Sequence, residues 1–436
     1  MPSPMADISL THIPARTSFG VKLGYASGNM GKSVIWASFD IFMLFYLVSV
    51  LGMEPLTAGA LLAVTLVWDG LADVVVAFWT DRRGGSDMLA RLILVGAPMV
   101  ALGFWAIFAA APGPGRIVTV LAVVLCRLGY TLCDVGHNTL MVRVAAHPRD
   151  AATVSGLRLI FSAMGGALVG LASAHSLTGP IAAQRAALEH GAAMAAMLYL
   201  VTLLTAMGIS RNLPPVTGEP VERPWRALRG NRAFAMVLGL MALQSALTPL
   251  FTRALPFFGQ AMHGDASWAG RALTVITLAQ ALSLPLWMAL SRRQSSAAIL
   301  LASHGLMLIA MAGMVLVSGE IAHGFALVFL GTAQGGMNMA IWALLALSLR
   351  AGAVSEALPV GLFLAGIKCS AGLGNALFAG IVRLGDLQCQ TCQTEHAPWL
   401  AVCVAGIPAL ASLAIIALLA RHGRRLCADT GSPQPA

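Results

Sequence analysis

Long apolar runs alternate with short polar segments along most of the chain. Each run contains about the 20 residues that a helix needs to cross the hydrocarbon core of a bilayer. The pattern therefore predicts twelve membrane-spanning helices, with the approximate limits Val34–Leu51, Ala58–Trp79, Leu89–Ala111, Val118–Ala145, Ala152–Ala174, Ala192–Ile209, Ala233–Phe251, Ala269–Leu290, Ala298–Val317, Phe325–Leu349, Leu358–Leu384 and Trp399–Ala420.

The segments between these runs are alternately rich and poor in arginine. Because cytoplasmic loops carry the excess of basic residues, this alternation predicts that both termini lie in the cytoplasm. The longest basic loop, 211–232, contains four prolines and is expected to be an irregular linker. We therefore predict an all-α membrane protein with a six-helix bundle at 1–210, a cytoplasmic linker at 211–232 and a second six-helix bundle at 233–436. This layout resembles the major facilitator superfamily, whose members bind substrate near the membrane midplane between two halves.

The composition supports the membrane assignment and excludes two other classes of protein. The chain is 58% hydrophobic and 10% charged, with a mean hydropathy of +0.80, whereas soluble domains are about 25% charged. Its net charge of +9 is spread over short loops without an aromatic-interleaved basic stripe, so we expect no nucleic-acid partner. No metal-ligand spacing, phosphate loop or nucleophile elbow is present, so the sequence predicts neither an enzyme nor a cofactor. Whether Cys389 and Cys392, in a predicted outer loop, form a disulfide stays open.

Two aspartates lie inside the second predicted span, in Trp68-Asp69-Gly70-Leu71-Ala72-Asp73. Four residues apart on a helix, Asp69 and Asp73 share one face. A carboxylate at mid-bilayer costs about 2.5–3.5 kcal/mol on insertion scales, and acidic residues at that depth mark ion pathways. Two neighbouring carboxylates resist ionising together, which suits the binding of H⁺ or Na⁺. The alternative is a structural ion pair with an arginine of a neighbouring helix.

The fourth span carries a second polar face, formed by Arg127, Tyr130, Asp134 and Asn138 at helical spacing. A cation, a hydroxyl, a carboxylate and an amide together offer the donors and acceptors that a polyhydroxylated ligand needs. The structural alternative is that Arg127 only neutralises Asp134.

Three further charged residues lie within predicted spans. Arg158 in the fifth span either reaches the cytoplasm, pairs with Asp134 or contacts substrate. Lys368 lies deep in the eleventh span of a chain that has only three lysines. Because a desolvated lysine can lose its proton, Lys368 is predicted to be a movable charge partner for the aspartates. Asp40, in the first span, either lines the cavity or pairs with an arginine.

These residues together resemble the glycoside–pentoside–hexuronide:cation symporters, the group that includes bacterial melibiose permeases. The similarity covers residues 22–174 and returns at 256–293 and around Lys368. It implies that Asp69, Asp73 and Thr131 form a cation site. It also implies that Tyr130, Asp134 and Arg158 contact a sugar, with Lys32 in the matching opening segment of helix one, and that Lys368 lies near both sites.

The chain also departs from that family. Ser33 stands where the sugar permeases have a sugar-binding aspartate, and Ala72 replaces an asparagine that supports Na⁺. Asn138 replaces a tryptophan, and the acidic residues usual in helix ten are missing from 343–350. These changes weaken a galactoside assignment and favour H⁺ over Na⁺, because a proton needs no coordination shell.

The sequence therefore predicts a monomeric, cation-coupled symporter of a bacterial-type inner membrane. Its partners would be a small polar solute, most simply a sugar or glycoside, a monovalent cation (H⁺ or Na⁺) and membrane lipid. The substrate site would comprise Lys32, Tyr130, Asp134, Asn138 and Arg158. Two alternatives remain: a lysophospholipid or other amphiphile transporter on the same scaffold, and a non-transporting receptor or assembly factor that would tolerate loss of Asp69 and Asp73.

Overall fold

The structure is a computed structural model, which describes residues 16–39, 43, 46–47, 51–83, 86–109, 115–145, 147, 150–176, 181–214, 228, 230–263, 268–349, 356–384 and 397–429. All regular structure in these ranges is helical. The helices are α1 (Phe19–Ser38), α2 (Pro55–Arg83), α3 (Ser86–Ala109), α4 (Gly115–Val144), α5 (Ala151–Ser176), α6 (Ile181–Ser210), α7 (Arg232–Leu247), α8 (Leu250–Arg253), α9 (Leu255–His263), α10 (Trp268–Leu290), α11 (Ser296–Leu316), α12 (Glu320–Ser348), α13 (Ala357–Leu384) and α14 (Ala397–Asp429).

Eleven helical segments within the described ranges are long and apolar enough to cross a membrane. Together with α1, they confirm the predicted all-helical fold of twelve spans. The seventh span is not one regular helix. It is interrupted after α7 at Pro249, which has no backbone N–H to donate to the preceding turn, and continues as α8 and α9.

Two predicted limits need correction. Helix α1 begins at Phe19, fifteen residues before the predicted start of the first span, and the Ser18 side chain caps it by accepting from the Val21 N–H. Polar residues such as Lys22 and Asn29 lower the hydropathy of this part, yet both are buried. Helix α6 begins at Ile181, inside a segment that was predicted to be a connection.

Helix packing brings together elements that are distant in sequence. Among the first six spans, α3 packs on α4 and α6, and α1 packs on α5 and α6. Among the later spans, α12 packs on α10 and α11, α11 also packs on α14, and α13 packs on α7. The contacts between the two sets are made mainly by α2 with α13, α5 with α12 and α5 with α10. The predicted domain limits, 1–210 and 233–436, stay a prediction.

Helix α2 shows how the sequence divides a helix between lipid and protein. Its outward stripe, Val64, Leu71 and Val75, is more than 60% exposed and suits contact with acyl chains, whereas Asp69 and Asp73 are fully buried on the opposite face. The hydropathy pattern therefore orients the two carboxylates into the protein.

Candidate functional site

Asp69 forms an ion pair with Arg127 of α4. The guanidinium carbon of Arg127 also lies 5.5 Å from the ring centre of Trp36, 5.0 Å from that of Phe39 and 5.9 Å from that of Tyr130. Such distances allow cation–π attraction. The structure thus contains the alternative proposed for Asp69, an ion pair with an arginine of a neighbouring helix. The suggested pairing of Arg127 with Asp134 is wrong.

Asp73 pairs with a different cation from a different part of the chain. The Lys368 ammonium of α13 donates to Asp73 Oδ2 at 2.6 Å, and both side chains are buried. The close approach of α2 and α13 requires Gly361, because a Cβ there would lie 2.7 Å from the Asp73 carbonyl oxygen and 2.5 Å from the Ala77 Cβ. Lys368 is therefore a charge partner of one aspartate, held by the packing of the two helices.

Asp134 of α4 is paired with Lys32 of α1, at 2.5 Å between Oδ1 and Nζ. The same Oδ1 accepts a hydrogen bond of 2.7 Å from the Asn138 amide. The predicted substrate residues Lys32, Asp134 and Asn138 thus lie in one buried network. The Asp134 carboxylate, which would accept a hydrogen bond from a sugar hydroxyl, already contacts both Lys32 and Asn138.

Arg158 of α5 extends this network. Its guanidinium donates to Asn138 Oδ1 and, at 3.2 Å, to Asn29 Oδ1. It also lies 4.3 Å from the ring centre of Trp342 on α12. No carboxylate in the described part of the chain pairs with Arg158, so it adds a buried positive charge beside Asn138.

Several buried polar atoms in this region accept or donate no hydrogen bond within the described ranges. They include Asp69 Oδ1, Asp73 Oδ1 and the Thr131 hydroxyl. Buried polar atoms in proteins are rarely left without a partner, and exceptions accompany function or bound ligands. The remaining predicted residue, Tyr130, is buried with its ring between those of Trp36 and Tyr199. Asp40 and the Cys389–Cys392 segment lie outside the described residues.

The structure adds residues that the sequence interpretation did not select. At one end of α2, Asp81 accepts from the backbone N–H groups of Glu356, Ala357 and Leu358 at 3.2, 2.9 and 2.6 Å, so it caps the start of α13. The Glu356 carboxylate in turn accepts two hydrogen bonds from Arg143 of α4, at 2.8 and 3.0 Å. These contacts hold the two sets of helices together at this end. The sequence indicated these contacts only in that charged residues flank the predicted spans.

Asn29 and Trp342 were also missed. Asn29 is three residues before Lys32 in the same helix, so helical spacing would have placed both on one face. Trp342 carries no such local signal, because its contact with Arg158 arises from the packing of α5 on α12.

Comparisons with known proteins agree with the helical layout. A family described as "MFS/sugar transport protein" matches residues 24–422. A symporter of Bacillus subtilis (strain 168), the uncharacterized YnaJ, is 26% identical over 152 residues, which are 34% of this chain and 33% of YnaJ. The chain thus aligns with about a third of the length of that relative.

Solved structures share the fold at low sequence identity. A bacterial homologue of the iron transporter ferroportin, in an outward-facing state, gives a TM-score of 0.67 at 12% identity, covering 92% of this chain and 100% of that one. The E. coli fucose:proton symporter FucP gives 0.66 at 13% identity, covering 92% and 96%. The proton:xylose symporter XylE gives 0.59 at 13% identity, covering 90% and 93%. With the family match spanning nearly the whole chain, this protein belongs to the MFS/sugar transport family of membrane transporters.

Proposed function

We propose that this protein is a cation-coupled symporter of a small polar solute, a sugar or glycoside, and that it works by alternating access in a bacterial inner membrane. The observation that carries the proposal is the buried Asp73–Lys368 pair. It is an ion pair between the first six spans and the last six, so a movement of one set against the other must break or remake it.

The pair explains how a cation could control that movement. Removing one charge from a buried ion pair leaves the other uncompensated, at a cost of about 3–5 kcal/mol. A cation bound at Asp73 would release Lys368 and weaken the contact between α2 and α13. Binding would thereby change the balance between conformations, because a ligand shifts an equilibrium through its different affinity for the two states.

The substrate would bind at the network of Lys32, Asp134, Asn138 and Arg158, with Tyr130 beside it. These side chains supply both hydrogen-bond donors and acceptors, as hydroxyl groups require. To bind Asp134, a sugar hydroxyl would have to replace or join the Lys32 ammonium. Helix α4, which carries Asp134, packs on α2 and on α13, which carry Asp73 and Lys368. This proximity supports coupling of about 1–3 kcal/mol between the two ligands.

The names of related proteins agree with this function. YnaJ is described as a symporter, and FucP and XylE transport a sugar with a proton. The alternation of arginine-rich and arginine-poor loops supports cytoplasmic termini, and with them the cytoplasmic position of the Asp81 and Arg143 contacts.

The direct test is uptake by proteoliposomes under an imposed H⁺ or Na⁺ gradient, with a panel of neutral glycosides and uronides. Uronides are included because Arg158 carries a buried charge without a described carboxylate partner. We expect concentrative uptake by the wild type, none by Asp73→Asn, and wild-type uptake by Asp87→Asn, which alters an exposed aspartate at the start of α3. Undiminished uptake by Asp73→Asn would refute the role of Asp73.

A second variant separates the two predicted sites. Asp134→Ala should weaken binding of the transported sugar at least tenfold, since a charge-assisted hydrogen bond is worth about 1.5–3 kcal/mol. Binding of the coupling cation, measured without sugar, should persist. Loss of cation binding with sugar binding retained would mean that the two sites are assigned the wrong way round.

A second candidate, transport of a lysophospholipid or similar amphiphile, is favoured by one observation. A cavity of about 600 Å³ lies between α1, α3, α5 and α6, and Ser38 is the only polar side chain among the described residues that line it. Its walls include Val34, Phe104, Phe108, Leu168, Leu188 and Leu198, and its size is within the usual range for small-molecule pockets. Saturable binding of a lysophospholipid, with no flux of any glycoside, would favour this candidate.

A further inference from the structure

The ion pair of Asp69 differs from that of Asp73 in where its partners come from. Arg127 belongs to α4. Of the three aromatic rings around its guanidinium, Trp36 belongs to α1, Phe39 directly follows α1, and Tyr130 belongs to α4. Asp69 itself belongs to α2. Every one of these contacts therefore lies within the first six spans, whereas the Asp73–Lys368 contact joins the first six spans to the last six.

This difference decides which pair would change during transport. If the two sets of helices rock against each other, contacts within one set persist and contacts between sets break. The Arg127 side chain is 5% exposed, and the Asp69 side chain is fully buried. Separating them in place would leave two uncompensated charges inside the protein. The Asp69–Arg127 pair is thus a fixed part of the structure.

We propose that Arg127 is a built-in counter-cation that stays paired with Asp69 and excludes Na⁺ from the paired aspartates. Of these two carboxylates, Asp73 is then the one that exchanges its partner. This inference rests on the proposed function for its meaning in transport, although the exclusion of Na⁺ is a property of the binding site alone. The Arg127 guanidinium and the Lys368 ammonium neutralise the two carboxylate charges that an external cation would otherwise balance.

The composition of the site explains why a proton is accepted when Na⁺ is not. Na⁺ is a hard cation that needs several oxygen ligands at once. Asp69 Oδ1, Asp73 Oδ1 and the Thr131 hydroxyl have no hydrogen bond among the described residues. Asp69 and Asp73 are nevertheless each paired with one cation, so the two ion pairs carry no net charge to attract Na⁺. A proton binds to one carboxylate oxygen and needs no further ligand. The neighbouring guanidinium would also repel a second cation.

The test is to remove the charge of Arg127 and measure binding of ²²Na⁺ to the purified full-length protein, without any substrate. Asp69, Asp73 and Lys368 would then carry one uncompensated negative charge, which a monovalent cation could neutralise. We expect no saturable ²²Na⁺ binding by the wild type and saturable binding by Arg127→Gln. Arg127→Lys, which keeps the charge, and Arg91→Gln, which alters an exposed arginine on α3, should behave as the wild type.

Two further comparisons test whether any gained Na⁺ binding depends on Asp69. Binding gained by Arg127→Gln should be lost in the double variant Arg127→Gln/Asp69→Asn, which carries neither charge of the pair. The proposal is overturned if folded Arg127→Gln binds no more ²²Na⁺ than the wild type. It is equally overturned if the wild type binds ²²Na⁺ and Asp69→Asn abolishes that binding, a comparison that stands even if Arg127→Gln does not fold.

Na⁺ binding and sugar uptake, measured on the same protein, test this inference and the proposed function separately. Na⁺ binding that depends on the Arg127 substitution, in a protein that transports no sugar, would support the built-in counter-cation and refute sugar symport. Sugar uptake driven by a Na⁺ gradient in the wild type would support sugar symport and refute the built-in counter-cation.

Discussion

Breaking the Asp73–Lys368 pair is the most informative perturbation, because its energy can be estimated from the structure. The two charged atoms are 2.6 Å apart, so their attraction is about 6 kcal/mol at an effective dielectric constant of 20. The desolvation of both groups opposes this attraction. Loss of one partner from a buried pair therefore costs about 3–5 kcal/mol, whereas loss of both costs little.

The prediction is a strongly non-additive double-mutant cycle. Lys368→Met and Asp73→Asn should each destabilise the protein, and the double variant should be more stable than the less stable of the two single variants. Because each single loss costs about 3–5 kcal/mol and the double loss little, we expect a coupling energy of about 3 kcal/mol or more, at the upper end of the range found for contacting residues. The assay is reversible unfolding of the full-length protein by SDS in mixed micelles, followed by tryptophan fluorescence.

A second cycle serves as the control. Arg271 and Glu320 also form an ion pair, but they are 3.4 Å apart and their side chains are 57% and 66% exposed. Solvent-exposed pairs contribute about 0–1 kcal/mol, so Arg271→Gln and Glu320→Gln should be almost additive. A coupling energy for Asp73 and Lys368 below about 0.5 kcal/mol, no larger than in the control, would refute the reasoning from burial.

Two other predictions concern the contact between α2 and α13. Asp81→Asn removes the charge that caps the start of α13, where a capping interaction is worth about 1 kcal/mol and the helix dipole adds to it. The conformation in which the Asp81 end of α2 contacts the start of α13 should become about fivefold less populated. Spin-label distances between that end of α2 and the start of α13 would measure this change. Gly361→Val should shift the same distances further, because its side chain would collide with the Asp73 carbonyl and the neighbouring helix. Gly166→Val, where a Cβ meets nothing within 4 Å, is the control, and an unchanged distance distribution in Gly361→Val would contradict the packing argument.

Much of the fold could be predicted from hydropathy alone. A backbone in hydrocarbon must satisfy its own hydrogen bonds, so each apolar run of sufficient length becomes a helix. This is why the ends of α10 and α13 lie within one residue of the predicted limits. The prediction failed at α1, because hydropathy counts Lys22 and Lys32 as polar without knowing that each faces an aspartate, Asp150 and Asp134 respectively.

The sequence by itself also determined which side chains are costly in the membrane. Asp69, Asp73, Asp134 and Lys368 are conspicuous in apolar runs, and spacing alone placed Asp69 and Asp73 on one face of α2. Periodicity acts over a few residues of one helix, so this part of the candidate site required no tertiary information.

Only the tertiary structure decided which charge meets which. Arg127 is seven residues before Asp134 on the same helix, yet its partner is Asp69 on α2, and Asp134 is paired with Lys32 on α1. An ion pair depends on the distance between atoms from different helices, and that distance is set by how the helices pack. Packing therefore separated the Asp69–Arg127 pair, which lies within the first six spans, from the Asp73–Lys368 pair, which joins the first six spans to the last six.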